Sequence, residues 1–315
     1  MTKEPPFYEE EEELPITISE KAPDVKNLSP TKIADQFWCE MQLHLRLHLG
    51  LEPTEVMITG SEIHRSLEEE LGPVIEVITT TPEDSIITYI LQIYTKLRTL
   101  ELKGITRELP VIGELNNIPI LGIIDQLTVE NFDEKRQLMI TDYKTRKSKK
   151  PPTYEQKRRN RIQLQVYWHL LRDLIEGKFT SEMFKKYFEM PENIAPSEEL
   201  LAQLPEDMKE LLRKYSPHQL LDESFQIYTT LPSLSPNLEA IYLHQEDQSV
   251  VYSDRTLFHE ESFEVDMEWA LGYWLKARNP SDSQQQWMCN YCQFTEKCSY
   301  FLRRYLNKEE NKKKK

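Results

Sequence analysis

Four cysteines, at positions 39, 289, 292 and 298 of a 315-residue chain, constrain the fold more than any other feature. Three form Cys289-x2-Cys292-x5-Cys298, and Cys39 lies 250 positions upstream of them. A C-x2-C spacing places two thiolates around one ion or cluster. If all four serve one metal group, the first helix must meet the last segment and the chain closes into a ring. Such a group, bound only by the folded state, adds its binding free energy to folding. Structural zinc and a [4Fe–4S] cluster both take four thiolates, and spacing does not choose between them. Four unrelated buried thiols are the bland alternative. A disulfide scaffold would need a denser pattern.

The remaining composition excludes several classes. Only eight glycines occur, and the closest two are nine positions apart, so neither a G-x-G-x-x-G nor a P-loop motif can be written. No apolar run approaches the roughly 18 residues of a membrane span; the uncharged stretch from Ile86 to Thr95 is too short. Glu9 to Glu13 are consecutive acids and the first arginine is Arg46, the opposite of a mitochondrial presequence. A reducing compartment, nucleus or cytosol, is the expectation. The net charge of −14 argues against binding polyanions over the whole surface. It is unevenly spread, however. Between Lys144 and Arg161, nine basic residues face Glu155 alone, a local charge of +8. Such a block is either a solvated face or a local polyanion contact.

Periodicity gives an α/β (α+β) chain. Residues 1–27 read as a disordered acidic tail and 308–315 as a basic one, with 28–307 as one domain. Ser29-Pro30 starts a helix that runs to Gly50, carrying Ile33, Phe37, Met41 and Leu45 at helical spacing with Cys39 in its middle. A short helix covers Ser61 to Leu71, and Thr81-Pro82 starts a third that ends at Gly104. Three strands follow, Ile105–Gly113, Ile118–Val129 and Gln137–Tyr143, with Asn116-Asn117 as a hairpin turn. A helix over Tyr154–Glu176 completes a core of residues 105–176. Proline-punctuated residues 181–236 read as a helical insertion. Residues 237–307 return two short strands, the helix Phe258–Ala277 and the cysteine segment.

Candidate chemistry gathers on the strands. Asp142 and Lys144 stand at i and i+2 and so share a face. Asp125 ends the apolar Gly122-Ile-Ile-Asp125 and can approach them across the ladder. Two carboxylates beside an ammonium suit Mg²⁺ or Mn²⁺ and phosphodiester hydrolysis. Alone, each is compatible with a surface salt bridge. His64, in Gly60-x3-His64, could add an imidazole; a lone helical histidine is more often structural. Gln163 and Tyr167, four apart, share a helix face. Trp168 reads as core rather than as a base-stacking platform.

In this order, Gly60-x3-His64, Gly122-Ile-Ile-Asp125, Asp142-Tyr-Lys144 and Gln163-x3-Tyr167 resemble the motifs of RecB-type nucleases of the PD-(D/E)xK superfamily. With one distant cysteine and a C-terminal trio, the pattern is similar to the iron–sulfur subgroup, and within it to the eukaryotic exonuclease V family. The resemblance spans about Ser29 to Leu306. It implies a PD-(D/E)xK restriction-endonuclease-like core with helical additions, clamped by a [4Fe–4S] cluster on Cys39, Cys289, Cys292 and Cys298. It implies Mg²⁺ held by His64, Asp125, Asp142 and the Tyr143 carbonyl, Lys144 as catalytic lysine, and Gln163 and Tyr167 lining the site. The implied activity is exonucleolytic cleavage of single-stranded DNA into short oligonucleotides, in DNA repair, by a monomer without ATP. A single-strand-binding protein is a possible partner in that setting, and no membrane is involved. Arg146, Lys147, Lys157, Arg158, Arg159 and Arg161 would draw in the strand's phosphates. The competing readings are a CRISPR-adaptation nuclease, a decayed single-strand-binding scaffold and a zinc-clamped interaction module.

Overall fold

The computed structural model describes residues 21–50, 53–72, 74, 77–132, 134–282 and 285–302. The expected tails at 1–20 and 308–315 lie outside them. Residues 21–27, expected within the acidic tail, lie against the folded body: Ala22 is buried and Val25 packs on the core.

The element starts follow local capping chemistry. Ser29 accepts from Lys32 N and Pro30 occupies the first turn of α1 (Pro30–Leu49). Thr54 caps α2 (Glu55–Glu69), two turns earlier than the sequence suggests, so His64 sits in its third turn. Thr81 caps α3 (Pro82–Lys103), which stops at left-handed Gly104. Then come β1 (Ile105–Leu115), β2 (Ile118–Phe132) and β3 (Lys135–Arg146). Asn116 and Asn117 both have positive φ, 50° and 61°, as a two-residue hairpin turn requires. A Thr153/Gln156 capping box opens α4 (Tyr154–Ile175).

Residues 181–230 form α5 (Ser181–Tyr187), α6 (Glu198–Gln203), α7 (Glu206–Lys214) and α8 (Pro217–Thr230). The chain re-enters the sheet as β4 (Leu234–His244) and β5 (Val250–Leu257), then α9 (Glu260–Trp274). The five strands lie in sequence order. All pairs are antiparallel except β3–β4, which are parallel. A parallel pair needs a crossover, and α4 to α8 supply it. Helix α4 covers the sheet with Leu164, Val166, Leu170, Leu171 and Leu174, all buried. Trp168 belongs to this packing: its ring stacks on Phe258 at 3.7 Å and its N–H donates to the Ser235 carbonyl.

Helix α1 is broken at Cys39, whose φ of −157° and ψ of 105° are extended. The cause is distant in sequence. The Met41 N–H donates to the Ser281 carbonyl. Glu40, 1% exposed, accepts from both terminal nitrogens of Arg278, from Ser281 N and from Gln36 Nε2, at 2.5–2.8 Å. A charge this deeply buried is stable only when paired and hydrogen-bonded. This clasp ties α1 to the segment after α9 and brings Cys39 to the C-terminal cysteines.

Candidate active site

The site forms where pairing on both sides of Asp125 is interrupted. β2 and β3 pair from Phe132↔Lys135 to Gln126↔Thr141. The next opposed residues in that register are Asp125 and Asp142. There a side chain takes over from the ladder: the Tyr143 N–H donates to Asp125 Oδ2 at 2.7 Å. On the other side, β1 pairs with β2 except at Glu108, which faces Asp125 in register. Glu108 has φ +52°, a left-handed conformation uncommon outside glycine, asparagine and aspartate. The sequence reading did not include Glu108, because a glutamate inside a strand pattern carries no turn signal.

His64 approaches from α2. That helix lies against β3 because residue 60 is glycine; a Cβ there would stand 3.0 Å from Thr145 Oγ1. One turn later, His64 Nε2 is 3.1 Å from the Tyr143 carbonyl, and Nδ1 is 3.4 Å from Glu108 Oε1 and 3.7 Å from Asp125 Oδ2. Burial opposes the imidazolium. The Glu108 hydrogen bond and the charges of Asp125 and Glu108 outweigh it, so the His64 pKa is raised. His64, Glu108 and Asp125 present ligand atoms within 4.8 Å of one another, the one such group among the described residues.

Asp142 and Lys144 do share a face: Lys144 Nζ donates to Asp142 Oδ1 at 2.9 Å and lies 2.8 Å from Oδ2. Oδ2 is fully buried, ion-paired with that ammonium and without a further hydrogen bond among the described residues. Burial pushes the Asp125 carboxyl up to about 7, and the Asp142 charge adds to the shift, while Lys144 and His64 only partly offset it. Three carboxylates, Glu108, Asp125 and Asp142, thus share one ammonium and one imidazole, and this oxygen-rich donor set suits a hard divalent cation.

Gln163 and Tyr167 line the same region from α4. Both are buried, and Gln163 Nε2 donates to Tyr167 Oη at 3.2 Å. Burial, and then the charges of Asp125 and Asp142, drive the Tyr167 pKa well upward, so it stays a neutral phenol. Gly122 explains its own place in the motif. A Cβ there would lie 2.7 Å from Tyr167 Cε1 and 2.8 Å from Pro30 Cγ.

The basic block is dispersed among partners. Arg161 makes a two-pronged pair with Asp254 at 2.7 and 2.8 Å, and Asp254 is 3% exposed. Its fork is committed to Asp254 although the Arg161 side chain is 34% exposed. Arg159 pairs with Asp35 at 2.6 Å, and Arg46 pairs with the same carboxylate. Arg158 is 3.7 Å from Asp266 and lies over Phe37, and Lys157 lies over Tyr252. Lys147 is exposed, with Glu55 at 3.9 Å. Arg146 ends β3 with its Nε buried and without a hydrogen-bond partner among the described residues.

Cys39, Cys289, Cys292 and Cys298 line one small cavity with Trp38, Leu45 and Met288, and none forms a disulfide. Met41, Leu45 and Phe294 make an apolar backing for it. Convergent thiols from both ends of the chain fit a metal group of four sulfur ligands.

A family model described as "Exonuclease V - a 5' deoxyribonuclease" matches residues 20–138, 132–224 and 207–301. An exonuclease V of Danio rerio is 28% identical over 290 residues, covering 89% of this chain and 72% of that protein. The solved crystal structure of SSO0001 aligns over 89% of each chain at 12% identity, with a TM-score of 0.37; a likeness that weak supports no argument. The family match runs from ahead of α1 to beyond the last cysteine, taking in every residue of the carboxylate cluster, and this chain belongs to the exonuclease V family.

Proposed function

We propose that this chain is a Mg²⁺-dependent exonuclease that degrades single-stranded DNA to short oligonucleotides in genome maintenance, on a PD-(D/E)xK core. The opposition of Asp125 and Asp142 at the strand fork carries the reading, because burial and mutual repulsion hold Asp125 near pKa 7 in want of a cation. Asp125, Asp142, His64 and the Tyr143 carbonyl would hold the ion. A divalent ion supplies Lewis acidity toward the phosphodiester and lowers the pKa of a bound water. Glu108 would hold a proton on His64 Nδ1, so that Nε2, now 3.1 Å from the Tyr143 carbonyl, could give up its own proton and serve as a ligand. Asp142 aims the Lys144 ammonium into the site, where it stabilises charge building on the phosphate. Tyr167 and Gln163 stay neutral and close the floor against water. The four thiols would hold a [4Fe–4S] cluster with a structural role, reinforcing the Glu40–Arg278 clasp.

The test is a time course on single strands labelled at either end, with Mg²⁺ or with EDTA. Wild type should release short oligonucleotides only with Mg²⁺, and Asp142→Asn should bind the strand without cutting it. Cutting by Asp142→Asn at the wild-type rate would sink the site. Brown protein with stoichiometric iron and sulfide is expected from anaerobic purification; colourless protein with one zinc would replace the cluster.

A further inference from the structure

A cleft of about 570 Å³ opens beside the carboxylate cluster, bounded by α2, α3, β1 and α7. Its size falls in the usual range of ligand clefts, about 300–1,000 Å³. Arg107 and Glu108 form the wall it shares with the cluster. Arg107 is 9% exposed. Its guanidinium lies 5.4 Å from the centre of the Tyr143 ring, the residue whose carbonyl meets His64. One nitrogen, Nη2, reaches Glu70 at 3.1 Å. The other two, Nε and Nη1, are buried with no hydrogen-bond partner among the described residues.

That arrangement is poorly explained as a structural ion pair. A guanidinium keeps its charge and presents five donors in a rigid fork. Burying it with two nitrogens unpaired is costly. The Glu70 side chain is 61% exposed, so the contact is the kind of surface pair that contributes little. The Thr88 and Thr106 hydroxyls on the same walls are also buried and unpartnered. The acids nearby are largely answered or peripheral. Lys96 neutralises Glu68, and Asp207 comes from α7 on the far wall. A cation with two of its three nitrogens unpaired and two hydroxyls without partners among the described residues, next to a site that would cleave phosphodiesters, match an anion with several acceptor oxygens.

We propose that Arg107 is a positioning residue for the nucleic-acid strand. One phosphodiester flanking the cleaved linkage displaces Glu70 and accepts from Nη2 and a second guanidinium nitrogen. The neighbouring nucleotides occupy the cleft along α3. Glu70 serves as the resting partner of the fork. This assignment rests on the nuclease reading above and names a contact that reading does not require.

The experiment uses the full chain, Mg²⁺ and single strands carrying one neutral methylphosphonate at successive linkages, with cut sites mapped on gels. In wild type, a neutral linkage should suppress cutting at a fixed offset from itself. In Arg107→Gln that offset effect should vanish while suppression at other positions persists, and KM should rise about tenfold, as loss of a charge-assisted hydrogen bond predicts. Arg107→Lys, with charge but no fork, should fall between. Glu70→Gln leaves the buried residues untouched; it should lower KM several-fold with kcat unchanged, because the fork is released. The same offset in Arg107→Gln as in wild type, or an unchanged KM in Glu70→Gln, overturns the assignment while the nuclease reading stands. A wild-type chain that cuts no single strand overturns both.

Discussion

Arg161 distinguishes two readings of the basic block, and its replacement has a magnitude that the structure sets. The pair with Asp254 is two-pronged, and Asp254 is 3% exposed while the Arg161 side chain is 34% exposed. Removing one partner of a fully buried pair costs about 3–5 kcal/mol, because the other charge is left unpaired. Solvent reaching Arg161 screens part of that, so Arg161→Met should cost about 2–3 kcal/mol. Removing the orphaned charge should recover most of it: Arg161→Met with Asp254→Asn should cost only about 1 kcal/mol, the worth of an ordinary hydrogen bond. The double variant is thus expected to be more stable than the single one, a non-additivity that a contact pair must show. Urea unfolding followed by circular dichroism, with a common slope, measures both. The salt dependence of single-strand binding supplies the second readout. A residue that contacts one phosphate contributes about 0.7 to the log–log slope, and Arg161→Met should leave the slope unchanged. A stable Arg161→Met variant whose slope drops by that amount would refute the reasoning and return Arg161 to the strand-binding set.

Three further outcomes follow from the same geometry. Gly122→Ala should destabilise by about 1–3 kcal/mol, because its Cβ meets the Tyr167 ring and Pro30. Gly113→Ala should cost less, since its closest contact is the movable end of Leu170; equal thermal midpoints would contradict this. Asp125 has a raised pKa in the cation-free fold, so its favourable contribution is complete below about pH 4 and is lost as pH rises through about 7. Asp125→Asn should therefore gain on wild type as pH goes from 5 to 8 in EDTA, and Mg²⁺ affinity of the wild type should fall as pH drops below 7; flat curves for both would remove the electrostatic argument. At Glu108, φ of +52° strains any side chain, so Glu108→Gly should be about 1 kcal/mol more stable than Glu108→Ala. That reverses the usual strand preference for alanine, and both variants should lose nuclease activity.

How far each feature could be read in advance depends on how local its cause is. Ser29-Pro30, Thr81-Pro82 and Asn116-Asn117 act through atoms three or four residues away, and α1, α3 and the β1–β2 turn begin where those pairs place them. Asp142 and Lys144 meet because the strand period is two, which is also local. The break at Cys39 is the opposite case. The apolar spacing of Ile33, Phe37, Met41 and Leu45 runs straight through it, and the bond that breaks the helix comes from Ser281. Basic residues 144–161 looked alike as a run of charge, yet acids from three other parts of the chain, Asp35, Asp254 and Asp266, decide which of them are committed.

Glu108 joins these two kinds of cause. The ladder with β1 skips one pairing, at Glu108, and the ladder with β3 ends at Gln126↔Thr141, so both openings lie at Asp125. A continuous sheet would have turned Asp125 into one more alternating side chain with its neighbours' backbones saturated. Ending one ladder and interrupting the other frees a backbone N–H for its carboxylate and brings Glu108 to His64. The cost is an unfavourable backbone at Glu108 and a carboxylate at Asp125 driven toward protonation. Strain of that kind persists only where the surrounding fold over-determines it. Here α2, held close by Gly60, and α4, held close by Gly122, clamp the two sides of the fork. The two glycines at the heads of the sequence motifs thus set how near the helices come, and that distance lets three acids and a histidine share one small volume.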